Sequence, residues 1–125
     1  MSTETSSAVM TTTEVAHRLI ELIKAGQNEQ VYTELFSDDA VAIEPDQAPV
    51  KETKGKEALI EKHKAFQATI TEFFGSGISE PLVAGDYITL TMWIDATSNG
   101  QRMKMDEVCL YHVKDGKIIS EQFFF

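Results

Sequence analysis

Residues 87–113 read YITLTMWIDATSNGQRMKMDEVCLYHV, which is two alternating stretches joined by Asn99-Gly100. Asn-Gly between such stretches is the strongest short-range signal for a β-hairpin closed by a two-residue type I′ turn. A turn at this position fixes the pairing of both strands, because strand residues pair one for one. One face of the hairpin is then apolar apart from one glutamate. The other carries the opposite-charge pair Asp95 and Lys104, as an outer face should.

The next turn lies at Asp115-Gly116 and is compatible with two loop lengths. A two-residue loop puts Glu107 on the same face as Phe124, whereas a three-residue loop pairs Cys109 with Glu121. We choose the three-residue loop because it extends the apolar face into the last strand. The predicted inner face then comprises Leu90, Met92, Ile94, Ala96, Met103, Met105, Cys109, Tyr111, Ile119, Phe123 and Phe125, with Glu107 and Glu121 among them.

The chain before these strands carries helical signals. A first helix begins at Thr11 and Glu14, which form a capping-box pattern, and two further helical segments follow. Helices followed by a run of antiparallel strands predict an α+β fold. The small, polar residues 1–10 predict a disordered tail, and residues 11–125 predict a single domain.

Composition excludes several classes of function. Eleven Lys and Arg against twenty Asp and Glu give the 125-residue chain a formal net charge of −9, so we expect it to bind neither nucleic acid nor an anionic membrane. No stretch approaches the roughly 18 apolar residues of a membrane span, and the first residues lack the pattern of a secretory signal. The single Cys109 excludes an intrachain disulfide. These features predict a cytoplasmic protein.

Two glutamates on the predicted inner face are the first candidates for chemistry. Glu107 and Glu121 lie on neighbouring strands, and the predicted register places them within roughly 5–8 Å of each other. Two carboxylates in an apolar interior resist double ionisation, so one pKa rises and that carboxyl becomes an acid or base near neutral pH. Alternatively, one or both lie in water at the rim of the sheet, or bond to Tyr111 or to an Arg or Lys that the pattern does not identify.

Two more candidates come from the helical half. His63 lies on the apolar face of the third helix and is predicted to face the sheet, as a structural or as a catalytic residue. Strict strand alternation places Glu44 on the face opposite Val41 and Ile43, which favours a solvent-facing position. We predict no metal site, because no ligand spacing such as H-E-x-x-H is present, and no cofactor, because the chain has no glycine-rich phosphate loop.

The outer face of the hairpin predicts a partner. Apolar side chains on that face form a sizeable exposed patch, which in a soluble protein indicates an interface. We therefore predict a homodimer formed through this face. The patch comprises Thr91, Trp93, Val108, Leu110 and Phe124.

Three segments carry a family resemblance. They are L-F-S-D-D-A-V-A-I-E-P at residues 35–45, G-K-E-A-L-I-E-K-H at residues 55–63 and Y-H-V-K-D-G-K-I at residues 111–118. In this order, residues 11–125 resemble the SnoaL-like branch of the nuclear transport factor 2-like superfamily, which includes ketosteroid isomerase and SnoaL-type polyketide cyclases. The resemblance implies a cone, in which a curved antiparallel sheet packs on N-terminal helices around an apolar pocket, and usually a dimer.

The resemblance also implies roles for some residues. Glu44 stands where ketosteroid isomerase has its general base, and His63 stands near a pocket-lining tyrosine of that enzyme. The two oxyanion donors do not carry over, since Leu19 replaces a tyrosine and Cys109 replaces a protonated aspartic acid. SnoaL-type cyclases also have an acid near the Cys109 position. The resemblance therefore implies that this chain lacks the known acid of both relatives.

These observations together predict a protein that binds a small, largely apolar molecule in the cone. The predicted pocket residues are Leu19, Phe36, Met92, Met105, Cys109, Tyr111 and Phe123. A cofactor-independent isomerase, cyclase or dehydratase would use Glu44 as base, with His63, Glu107 and Glu121 donating to a developing oxyanion. The alternatives are a non-catalytic ligand-binding protein and a dimeric scaffold of the same fold.

Overall fold

The structure, a computed structural model, describes residues 9–125. In this range the helices are α1 (Thr12–Lys24), α2 (Asn28–Leu35) and α3 (Lys56–Thr69). The strands are β1 (Phe36–Ile43), β2 (Glu52–Lys54), β3 (Ile70–Ile78), β4 (Leu82–Ala84), β5 (Tyr87–Ser98), β6 (Gln101–Lys114) and β7 (Lys117–Phe124). Most of the predicted tail lies outside the described residues, but Met10 packs against the core.

One sheet contains all seven of these strands, in the order β2-β1-β7-β6-β5-β3, with β4 also pairing β5. The sheet is curved and unclosed, and the helices lie against it, so the predicted α+β cone is confirmed. One detail differs from the expected antiparallel sheet, because β1 runs parallel to β7. A parallel pair needs a long crossover, and here almost the whole domain forms that connection.

The predicted hairpin of β5 and β6 is confirmed. Asn99 and Gly100 have φ angles of 51° and 82°, the positive values that a type I′ turn requires. Every predicted pair is present, including Ala96 with Met103 on the inner face and Asp95 with Lys104 on the outer face. Local turn chemistry therefore determined the register of the longest ladder in the sheet.

The predicted three-residue loop at the next turn is wrong. Asp115 and Gly116 both have positive φ and form a two-residue turn, with Lys114 paired to Lys117. A β-bulge then leaves Ile119 without a partner on β6, and an extra residue of this kind returns the following side chains to the other face.

The bulge decides which residues of β7 face inward. Glu121 pairs with Tyr111 and Phe123 pairs with Cys109, so both remain on the inner face as predicted, each two residues away from its predicted partner. Ile118 is fully buried, whereas the predicted Ile119 is only partly buried. The predicted inward position of Phe125 is also wrong, because that side chain is exposed.

The core lies between the helices α1 and α2 and the inner face of the sheet. Helix α1 contributes a fully buried stripe that includes Val15 and Leu19, and Leu59 is the buried residue of α3. Towards the Asn99 turn the inner face is less covered, since Phe66 and Phe73 remain exposed. Among residues 9–125, no helix is both long and apolar enough to cross a membrane.

The start of α1 gives a first prediction. The Thr11 hydroxyl accepts from the Glu14 backbone N–H, and the Glu14 carboxylate accepts from the Thr11 backbone N–H, which completes the predicted capping box. Thr11→Ala leaves the Glu14 N–H without this acceptor, so we expect the free energy of unfolding to fall by about 1 kcal/mol in urea denaturation. Thr13→Ala, at the second residue of α1, is the matched control and should change the free energy of unfolding far less.

Candidate functional site

Glu121 lies at the centre of the inner face. Its strand pairs with β1 on one side and β6 on the other, so Glu121 sits between Ala42 and Tyr111. Only 4% of its surface is exposed. Burial raises the pKa of Glu121 to about 8, an effect to which the negative charges of Glu44 and Glu107 add and which the Lys62 ammonium opposes. The carboxyl is therefore mostly protonated at neutral pH.

Glu44 follows the last residue of β1 and lies on the inner side. Strand alternation does place it opposite Val41 and Ile43, but the buried side of β1 is the one that carries Ala40 and Ala42. Alternation favours solvent and the resemblance favours the pocket; the Glu44 side chain is only 15% exposed. The Lys62 ammonium of α3 forms an ion pair with its carboxylate.

Glu107 also faces inward, towards the less covered end of the sheet. It is partly buried, and burial raises its pKa, with a further contribution from Glu44. The Cys109 thiol donates a hydrogen bond to its Oε1 at 3.8 Å. The two glutamates are farther apart than predicted, since Glu121 pairs with Tyr111, four residues along β6 from Glu107.

Cys109 is fully buried, and its chemistry follows from that position. Burial raises the pKa of the thiol, and the charges of Glu107 and Glu121 raise it further. A thiol held in its neutral form is a poor nucleophile. Cys109 therefore serves as a small core residue and a weak donor to Glu107.

Two tyrosines join this group, and sequence reasoning gave neither of them a catalytic role. Tyr32 of α2 packs its ring 4.8 Å from that of Phe36, and Tyr111 is buried beside Glu121. Burial and then the nearby acidic groups raise the pKa of both hydroxyls, which stay protonated as hydrogen-bond donors. In the sequence, the four-residue spacing of Tyr32 and Phe36 by itself indicates only packing along a helix.

His63 lies apart from the glutamates predicted to work with it. Its ring packs 6.1 Å from that of Tyr32, and burial lowers its pKa, so the imidazole is neutral. The carboxylate that acts on it is Glu29 of α2, and not Glu107 or Glu121. Within the described residues its Nε2 is the one fully buried side-chain nitrogen or oxygen without a hydrogen-bond partner.

The predicted pocket residues divide into two groups. Leu19, Phe36, Cys109 and Tyr111 are at most 2% exposed and form part of the packed core. The other three are partly exposed on the inner face, where a ligand can reach them, namely Met92, Met105 and Phe123.

Two surface depressions lie away from the packed core. One, of about 340 Å³, is lined mainly by outer-face residues such as Trp93 and Phe124, and also by Glu107. The other, of about 510 Å³, lies at the Asp115 turn. Neither of these two depressions is lined by Glu121.

Glu44, Lys62, Glu107 and Glu121 together form what we call the acidic centre. It combines a buried neutral carboxyl with a carboxylate paired to an ammonium, so one site offers both a proton donor and a proton acceptor. Among residues 9–125, no group of three or more His, Cys, Asp and Glu side chains is arranged to hold a metal ion.

Comparison with known proteins identifies the family. The model of the SnoaL-like domain matches residues 10–125. The chain belongs to the SnoaL-like family. A crystal structure from Mesorhizobium loti, described as a SnoaL-like polyketide cyclase and also as a carbohydrate phosphatase, is 37% identical in sequence. It superposes with a TM-score of 0.87 over 93% of this chain and 100% of the other.

More distant structures share the fold. A SnoaL-like polyketide cyclase from a Jannaschia species is 16% identical, with a TM-score of 0.71 over 98% of this chain and 90% of its own. A ketosteroid isomerase-like protein from Catenulispora acidiphila, solved with trimethylamine, is 19% identical, with a TM-score of 0.70 over 92% and 87%. No curated protein gives a sequence match to this chain.

The raised pKa of Glu121 makes stability depend on pH. Its carboxyl has an ordinary value of 4.5 and a value of about 8 in the folded protein. Between these values the folded protein holds a proton that the unfolded chain has lost, so raising the pH favours unfolding. Glu121→Gln removes this titration. We expect the variant to gain stability relative to the parent protein from about pH 5 to about pH 8, by up to roughly 1.4 kcal/mol per pH unit.

Urea denaturation at a series of pH values measures this difference. Glu61→Gln is the matched control, because that glutamate lies on α3 with its side chain 75% exposed. The free energy of unfolding of Glu61→Gln, relative to that of the parent protein, should not change with pH. A difference for Glu121→Gln that is equally flat would contradict the assignment.

Proposed function

We propose that this protein binds a small, largely apolar carbonyl compound in the cone and transfers a proton within it without a cofactor. One observation carries the proposal: Glu121 is a buried, mostly protonated carboxyl beside the ion pair of Glu44 and Lys62. Two carboxyls whose environments separate their protonation states are the arrangement that enzymes use for acid and base roles. Membership in the SnoaL-like family supports the same class of chemistry.

Glu121 is the proposed acid. A neutral carboxyl in an apolar surrounding donates a strong hydrogen bond to a carbonyl oxygen and stabilises the negative charge that develops on it. The hydroxyls of Tyr32 and Tyr111, which are also protonated, lie in the same region and can add donors. This set would replace the oxyanion donors of ketosteroid isomerase, whose positions hold Leu19 and Cys109.

Glu44 is the proposed base. Its carboxylate pairs with the Lys62 ammonium, it faces the inner side of the sheet, and it keeps 15% of its side-chain surface accessible. An ionised carboxylate at this position can remove a proton from the carbon next to the carbonyl group. Glu107 has a raised pKa and remains a second candidate acid at the open end. His63, neutral and turned towards Tyr32, lines the site in this proposal.

Proton exchange tests the proposal without knowledge of the natural substrate. A panel of small apolar ketones is incubated with the protein in D₂O, and deuterium incorporation next to the carbonyl is followed by NMR. For a ketone whose exchange the protein accelerates, we expect Glu44→Gln to lower the rate at least about 100-fold, because it removes the base. Glu121→Gln should also lower the rate strongly, because an amide is a weaker donor than a carboxylic acid.

Glu61→Gln again serves as the control, since this exposed glutamate lies on the same helix as Lys62. Its rate should match that of the parent protein. A ketone that exchanges equally fast with the parent protein and with Glu44→Gln would count against Glu44 as base.

A second function, a dimeric protein with a filled cone, is favoured by a different observation. The side chains at the centre of the cone are packed, and exposed apolar residues lie instead on the outer face. Trp93, Val108 and Phe124 there are 39%, 41% and 48% exposed. Charges of both signs flank them, including Lys104 and Asp95, so the face is suited to pairing with a copy of itself.

Light scattering after gel filtration tests this interface. We expect the parent protein to show twice the chain mass of 13.9 kDa, and Trp93→Glu to show the mass of one chain, because a charge buried at an apolar interface is costly. Val50→Glu, at a 58% exposed position outside the patch, is the control and should remain dimeric. A parent protein that is monomeric at high concentration would rule out this interface.

A further inference from the structure

Lys62 is the charged residue of the acidic centre that the sequence pattern did not single out. It lies on α3, which packs over β1, and its ammonium forms the ion pair with Glu44. The same ammonium stands 5.4 Å from the centroid of the Phe123 ring, on the inner face of β7. The side chain is 40% exposed, so it reaches from solvent into the site.

We propose that Lys62 is a positioning residue: its ammonium, placed between Glu44 and the Phe123 ring, holds the Glu44 carboxylate as the proton acceptor and leaves Glu121 as the proton donor of the acidic centre. The inference deepens the proposed function, on which it rests, because it names the group that makes one carboxyl the proton acceptor and leaves another as the proton donor. Lys62 does not touch a reacting atom in this scheme. It acts through the carboxylate that it holds.

The charges around the centre support this role. Among the charges in residues 9–125 that act on Glu107 and Glu121, Lys62 is the only positive one. One ammonium cannot compensate three carboxylates, and the ion pair places it on Glu44. The negative charge of Glu44 in turn raises the pKa of Glu107 and of Glu121. The titratable groups at the centre are Tyr32 on α2, Glu44 after β1, Lys62 on α3, Glu107, Cys109 and Tyr111 on β6, and Glu121 on β7.

The ring of Phe123 helps to hold the ammonium in place. A cation near an aromatic face is attracted by the ring quadrupole, and an apolar ring beside the ion pair also limits access of water to it. Lys62 is thus held by a carboxylate from the end of β1 and by a ring from β7. This geometry ties the position of α3 to the two strands that carry Glu44 and Glu121.

Carboxyl NMR measures the effect directly and needs no ligand. Protein labelled with ¹³C at the glutamate side-chain carboxyls is titrated, and the Glu121 signal is assigned by its loss in Glu121→Gln. We expect Lys62→Met to move the Glu121 midpoint upward by about 1 pH unit, since it removes the nearby positive charge. Lys62→Arg, which keeps the charge, should leave the midpoint near that of the parent protein.

Lys64→Met is the matched control. It removes the same charge from the same helix, but Lys64 pairs with Glu29 and Glu61 on the surface. If Lys62→Met shifts the Glu121 midpoint no more than Lys64→Met does, the proposal is wrong. A general effect of net charge would move both variants equally.

Glu44→Gln provides an independent variant in case Lys62→Met does not fold, which an amide proton spectrum reveals. It removes a negative charge and frees Lys62 to compensate Glu121, so the Glu121 midpoint should fall. An unchanged midpoint would overturn the proposal. Because the titration is made on the free protein, a failed exchange assay with ketones leaves its result intact, and the reverse also holds.

Discussion

The pairing of β7 with two neighbours, β6 on one side and β1 on the other, is the constraint on which the site depends. It holds Glu121 between Tyr111 and Ala42, where the carboxyl is 4% exposed and cannot turn to solvent. A carboxylate in such a place loses most of its hydration, so the side chain keeps its proton. The acid of the proposed site is thus a consequence of strand pairing.

The pairing of β7 with β1 also explains the position of Glu44. The parallel pairing that aligns Ala42 with Glu121 also directs the end of β1 towards the inner side, beneath α3. Lys62 meets the carboxylate there. One acidic side chain is therefore held mostly neutral by burial and another is paired with an ammonium, within one small region of a strongly acidic protein.

The chain differs from ketosteroid isomerase in where its donors would come from. The positions of the two donors in that enzyme hold Leu19 and Cys109, and both are fully buried core residues here. Glu121 on the neighbouring strand and the hydroxyls of Tyr32 and Tyr111 occupy the same inner region. A fold can keep its shape while the chemistry moves to other strand positions, because inward-facing residues recur on every strand of the cone.

The sequence by itself determined the α+β order, the helix start at Thr11, the register of the long hairpin, and the inward orientation of Glu107. These depend on local turn and capping chemistry and on strand alternation, which short stretches encode. Only the tertiary structure decided the bulge at Ile119, the buried side of Glu44, and the convergence of Tyr32 and Lys62 on the acids. These depend on which elements cover which face, because a residue on a helix surface acquires a role only when a distant strand is placed beneath it.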